Sequence, residues 1–219
     1  MTAAPSEKAP RPRRRRWQFS LRFFLAFVTL AAVGLGWWFR PFTVEEAEGG
    51  LDLRLTYRRD WRGNIVRDGP MTGKGIVCGV PATVVGHYRD AKREGIWQVD
   101  SDAGQLLAQT SFRRDRRHGP EAEWYPNGSK RFEATFIEDQ PDGQMTDWDA
   151  EGRIAMQGVY REGAPWSGVC FQYWSHGWIE YYENGAAVPL EPSDERAALL
   201  KRAIDFHYPE VQPAERKSE

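Results

Sequence analysis

Hydrophobic and polar residues alternate strictly over Leu51-Asp52-Leu53-Arg54-Leu55-Thr56-Tyr57, and a period of two places the leucines and the tyrosine on one side of a β-strand. The same period runs from Arg131 to Phe136, where Phe132, Ala134 and Phe136 point one way and Arg131, Glu133 and Thr135 the other. Each stretch predicts a half-buried strand. A different pattern fills Phe23 to Phe39, FFLAFVTLAAVGLGWWF, an unbroken apolar run without a single charge. Towards the far end, Leu199, Leu200, Ala203, Ile204 and Phe206 recur at helical spacing behind Ser193-Asp194-Glu195, which offers an N-cap and an acid in the first turn. These residues predict one amphipathic helix of about three turns, too short to stand alone in water. It is expected to dock on the last hairpin and cover an edge.

Between these elements the pattern repeats. One glycine column runs Gly95, Gly119, Gly143, Gly168 and a second Gly104, Gly128, Gly152, Gly177, both in the same register. An aromatic column, Phe112, Phe136 and Tyr160, stands at a fixed offset behind the second glycines, with Tyr88 as its antecedent. Self-similarity at this period is the mark of an array whose units bury their apolar faces only against neighbours. Each unit reads as a β-hairpin with its turn at the second glycine. Pro126-Asn127-Gly128 is the clearest such turn, since Asn-Gly tolerates the positive φ that a tight hairpin needs. Residues 58 to 72, with Gly63-Asn64 and Asp68-Gly69-Pro70, predict a loop, and Gly73 to Tyr88 a degraded unit. The fold class is therefore mostly β, an antiparallel β-hairpin array of about 24 residues per unit with a helix at either end.

The units resemble MORN-type repeats in their bacterial antitoxin-like variant, which reads Gly-x-x-x-x-aromatic-aromatic-x-Asn-Gly. Gly119, Trp124, Tyr125, Asn127 and Gly128 carry the match best; Gly143, Trp148 and Gly152 follow, then Gly168, Tyr173, Trp174 and Gly177 with His176 where Asn is usual. In the Gly95 unit Asp100 replaces the aromatic. The resemblance covers about residues 84 to 186 and implies a module for binding or scaffolding, not a particular partner.

Charge changes the picture at the N-terminus. Residues 1–22 carry six arginines and Lys8 against Glu7, a net of +6, while the whole chain is −1. The apolar run behind these cations is just long enough to cross a bilayer, and Trp37 and Trp38 sit where indoles favour the headgroup boundary. A cleaved signal peptide shares the basic start, but Ala31-Ala32-Val33-Gly34 is a poor cleavage site and bulky residues follow it. The positive-inside rule puts the N-terminus in the cytoplasm and the rest of the chain outside. The expected organisation is a disordered basic tail over 1–20, a transmembrane helix over 21–39, and a connector, opening strand and start of a degenerate repeat over 40–83. The array follows over 84–186, then a linker, capping helix and polar tail over 187–219. The remainder of the chain is mildly acidic, which speaks against nucleic acid as partner.

Chemistry is sparse. Asp147, Asp149 and Glu151 cluster at one turn without the ligand spacing of a calcium loop, and the four histidines share no local spacing with cysteine or each other. Cys78 and Cys170 form no Cys-x-x-Cys, and a separation of about four units predicts two free thiols, not a disulfide. No metal, no cofactor and no catalytic residues are expected. The aromatic column is expected to be core. Trp124, Trp148, Tyr173 and Tyr125 are the candidate partner-binding residues, because Trp and Tyr concentrate in protein interfaces. The function expected is a membrane-anchored, extracytoplasmic, non-enzymatic binding or scaffolding module with a protein partner. The alternatives are an antitoxin-like or immunity-like neutraliser of a cognate protein and an envelope glycan hydrolase using Asp147 and Asp149 across a cleft.

Overall fold

The computed structural model describes residues 21–171, 179–191 and 193–209. The basic tail, the polar tail beyond 209, and the Gly168 unit's Tyr173, Trp174, His176 and Gly177 lie outside these. The chain divides into two units at Arg40. In the first, the apolar run forms helix α1, Leu21–Trp38. Eighteen residues rise about 27 Å, against a hydrocarbon core of about 30 Å. Among the described residues no helix is long and apolar enough to cross a membrane.

The second unit is one antiparallel sheet of 14 strands, followed by a helix. The strands are β1 Phe42–Glu48, β2 Leu51–Arg59, β3 Ile65–Val77, β4 Val80–Arg89, β5 Lys92–Ser101, β6 Leu106–Arg113 and β7 Arg116–Trp124. They continue with β8 Lys130–Ile137, β9 Gln140–Pro141, β10 Gly143–Trp148, β11 Ile154–Arg161, β12 Ala164–Phe171, β13 Ile179–Glu183 and β14 Ala186–Ala187. Each pairs with its sequence neighbours, except that β8 takes both β9 and β10. Repeated antiparallel hairpins are thus the architecture. Strand β1 occupies part of the expected connector. The expected loop over 58–72 shrinks to residues 60–64, and β3 runs on through Gly69-Pro70.

Why β3 survives a Gly-Pro pair also explains Gly95 and Gly119 of the first glycine column. Residues 68–70 stand opposite Thr56 alone, 95–97 opposite Gly86 alone and 118–120 opposite Ser111 alone. Each is a bulge holding a left-handed glycine: Gly69 at φ 131°, Gly95 at 73°, Gly119 at 110°. On its other side each of these glycines pairs with an aromatic: Gly69 with Tyr88, Gly95 with Phe112, Gly119 with Phe136, and further along Gly143 with Tyr160 and Gly168 with Tyr182. A bulge sharpens local twist at Gly69, Gly95 and Gly119, and the glycine leaves room beside the ring. The aromatic column is therefore one member longer than the spacing suggests. It is buried at Phe136, Tyr160 and Tyr182, which join Ala134, Met145 and Cys170 in one core, but only half-buried at Phe112.

Two kinds of turn alternate. At one edge, Asp90-Ala91, Arg114-Asp115, Glu138-Asp139 and Glu162-Gly163 have both residues at positive φ, the mark of tight type I′ turns. At the other, the second-glycine turns are longer: Ser101 N donates to Gln105 O at 2.8 Å, Tyr125 N to Ser129 O at 2.9 Å and Asp149 N to Arg153 O at 3.0 Å. Only the glycine is left-handed in each of these, so Asn127-Gly128 is a wider loop closed by Gly128 at φ 87° and not the tight turn its dipeptide predicts. Three of these four tight turns carry no sequence signal, because Asp90-Ala91, Arg114-Asp115 and Glu138-Asp139 lack glycine. Tertiary contacts offset their conformational cost: Asp115 N donates to Arg93 O at 3.0 Å and Arg93 N to Asp115 Oδ1 at 2.8 Å, and Asp139 and Arg117 repeat the clasp in the next unit at 2.9 and 2.8 Å. The same arginines lie over the aromatic column, Arg93 4.0 Å from the Phe112 ring centre and Arg117 3.9 Å from that of Phe136.

Helix α2, Glu195–His207, starts where Asp194 accepts from Arg196 N at 2.9 Å. Its Ala203, Leu200 and Ile204 pack on Met156, Val169 and Ile179 of β11, β12 and β13, so it covers these strands and not the open edge. Leu199, expected in the apolar stripe, is exposed.

Both cysteines are free, Cys78 exposed in the turn between β3 and β4 and Cys170 fully buried. Burial pushes the Cys170 thiol up to about 11, and the thiolate is the reactive form. A disulfide-exchange reagent at neutral pH should therefore titrate one thiol quickly and the second only in denaturant. Two fast thiols would show that the core around Cys170 is open.

Candidate functional site

The edge that carries the wider loops also carries the repeat aromatics. Trp124 ends β7 and pairs with Lys130 across the loop, and Trp148 ends β10 and pairs with Ile154, each beside a bulge. Successive loops are tied together: the Tyr125 hydroxyl donates to Trp148 O at 2.9 Å, Asn127 Nδ2 to Ala150 O at 3.1 Å, and Asp102 N to Pro81 O at 3.0 Å. Tyr125 thus has an anchored hydroxyl. Its ring is half-buried and its proton is held more tightly than usual, by burial first and then by the carboxylates of Asp149, Asp147 and Glu151, against Arg131.

Trp124, Tyr125 and Pro126 form one wall of a cleft of about 520 Å³; Phe206 and His207, from the last turn of α2, form another, with Arg131, Asp147 and Cys78 completing it. That volume falls within the range of about 300–1,000 Å³ usual for ligand sites. Arg131 is committed to Glu123 at 2.8 Å. Burial raises the Glu123 carboxyl, with Glu121 and Asp147 adding to the effect against Arg131. Asp147 projects from β10, opposite Phe132 and Met156. Its side chain is 10% exposed, and Oδ2 is shut off from water with no hydrogen-bond partner. His207 Nε2 stands 3.7 Å away, likewise shut off from water and without a hydrogen-bond partner. The two stand as an acid–histidine ion pair, longer than a hydrogen bond, when the imidazole is protonated.

The expected site residues divide accordingly. Trp124 and Tyr125 are brought together in the cleft. Trp148 is half-buried outside its wall, 5.7 Å from the Lys130 ammonium, and contributes its carbonyl to Tyr125. Tyr173 lies outside the described residues. Asp147, His207 and Phe206 are additions. By sequence Asp147 is one of several acids on a wet turn, and the cleft's other wall comes from a helix well over two repeats further along the chain, so no local spacing could reveal the pair. Asp149, the other acid of the hydrolase alternative, is used by its own loop. Partial burial works to raise its carboxyl, but the Arg153 backbone N–H at 2.8 Å and guanidinium at 2.7 Å hold it below the usual carboxylate range.

A second, larger cleft of about 900 Å³ lies at the tight-turn edge, between the turns at 90 and 114. Its charges largely answer one another: Arg113 and Arg116 share Glu138 at 2.5 and 3.2 Å, and Glu94 accepts from Arg114 N at 3.0 Å. These exposed pairs tie one repeat to the next and contribute little stability individually. Among the described residues no group of three or more His, Cys, Asp or Glu is placed to hold a metal ion.

No protein-family model and no curated protein matches this chain.

Proposed function

We propose that the chain is a binding module whose hairpin array presents the Trp124-Tyr125 cleft to a protein partner, without chemistry of its own. One observation carries this: the repeat aromatic pair Trp124 and Tyr125 lines a cleft together with Phe206 and His207 from the far end of the chain. Aromatic rings with an anchored backbone lose little entropy on binding, and such rings dominate interface energetics. The resemblance to MORN-type repeats supports the same reading, as does a sheet whose core lies elsewhere, around Phe136 and Tyr160. The arginine-rich start and the apolar run support a membrane-held arrangement with the array outside.

The test is photo-crosslinked capture from native membranes with the full chain, its Trp124→Ala variant and an Arg114→Ala control at the opposite edge. Trp124→Ala should lose the species that wild type and control both capture, a weakening of about 2 kcal/mol or more, while its melting temperature stays close to wild type. Capture unchanged by Trp124→Ala would refute the site. A variant that unfolds would make the ring part of the core.

A further inference from the structure

We infer that the tight-turn edge holds a second binding site, for paired carboxylates on an acidic segment of a second protein partner. The observation behind it is a departure from the repeat. The first residues of two tight turns reach back to cations of the hairpin before them: Asp90 meets Arg58 at 2.7 Å, and Glu138 meets Arg113 and Arg116 at 2.5 and 3.2 Å. The turn between these two carries Arg114 at that position. The hairpin behind it ends in Arg89 opposite Lys92, just as the next ends in Arg113 opposite Arg116, and like charges directly opposite destabilise a sheet. Where the later hairpin receives a carboxylate, the earlier one receives a third cation.

Arg89, Lys92 and Arg114 line the larger cleft of about 900 Å³ and are exposed, so a ligand reaches all three from solvent. The carboxylates of the same cleft are already committed: Asp90 to Arg58, Glu138 to Arg113 and Arg116, and Glu94 to Arg114 N at 3.0 Å. Among the described residues no carboxylate stands within ion-pair distance of Arg89, Lys92 or the Arg114 guanidinium. Five cations against three carboxylates leave a surplus of two positive charges, which two adjacent acidic side chains cancel. A guanidinium fork matches a carboxylate with two parallel hydrogen bonds, and Glu138 between Arg113 and Arg116 is the pairing that the ligand repeats one hairpin earlier. A cationic segment would meet a surplus of its own charge, and an apolar one would face charged residues only. From Arg116 to Trp124 strand β7 runs about 27 Å, so this site takes a separate partner from the aromatic cleft.

Isothermal titration of the full chain in neutral detergent with N-acetyl-Glu-Glu amide, its uncharged N-acetyl-Gln-Gln counterpart and glycerol 3-phosphate tests this. The acidic probe should bind one-to-one and the uncharged one should not. Arg114→Glu puts at this turn the carboxylate that Glu138 supplies at the next. It should weaken binding of the acidic probe roughly ten-fold or more while melting no lower than wild type, because it relieves Arg89 and Lys92. Lys92→Gln, which only removes a charge, should weaken binding in the same direction. Equal binding of the acidic and uncharged probes, no binding of the acidic one, binding indifferent to both variants, or a lower melting temperature for Arg114→Glu would each overturn the proposal. Tighter binding of glycerol 3-phosphate than of the acidic probe would also overturn it and assign these cations to a phosphate. The titration makes no use of captured protein, so this site and the aromatic cleft stand or fall separately.

Discussion

Replacing Phe136 by Ala should destabilise the array by about 3–5 kcal/mol, the usual cost of truncating a buried Phe. Its side chain is fully enclosed, at 0% exposure, among Ala134, Met145, Tyr160, Cys170 and Tyr182. The Arg117 guanidinium covers the ring 3.9 Å from its centre. Phe112 occupies the equivalent position one repeat earlier and is covered by Arg93 at 4.0 Å, but it is only half-buried. Phe112→Ala should therefore cost about 1–2 kcal/mol, in proportion to the apolar area it removes from water. Urea unfolding followed by far-ultraviolet circular dichroism reads both. Equal losses at the two positions would show that the core is uniform along the array, contrary to the gradient of burial.

Gly168→Ala should be nearly as damaging, at about 2–5 kcal/mol, because it combines left-handed strain with overpacking. Its φ is 85°, and a Cβ there would lie 2.7 Å from Gln157 O and 3.1 Å from Gly158 Cα. Backbone atoms in mid-sheet cannot step aside as a side-chain tip can. Gly152 is the control: its φ is 78°, but an added Cβ meets nothing within 4 Å, so Gly152→Ala should cost only about 1–2 kcal/mol of left-handed strain. The thermal midpoints of the two variants should separate accordingly. If they coincide, close approach between β11 and β12 is not what requires glycine at 168.

Sequence alone determined the parts of this protein that depend on neighbours in the chain. A period of two is imposed by strand geometry, so the buried faces of β2 and β8 were legible residue by residue. The repeat register marked the wide loops at Gly104, Gly128 and Gly152, because a left-handed position there selects glycine. The N-cap at Asp194 was equally local.

Tertiary structure decided the rest. Tight turns made of Arg114-Asp115 and Glu138-Asp139 exist because carboxylates and carbonyls of adjacent hairpins hold them, across gaps of 22 residues that no local pattern spans. Gly95 and Gly119 of the first glycine column needed the register between strands before they could be read as bulges. The cleft is the clearest case. Trp124 and Tyr125 were visible as repeat aromatics, but their meaning depends on Asp147 from β10 and on His207 from the end of α2. Only the docking of that helix, through Ala203, Leu200 and Ile204, brings the imidazole over the carboxylate. Long-range packing places those two groups, and the sequence between them holds no trace of the distance they end up sharing.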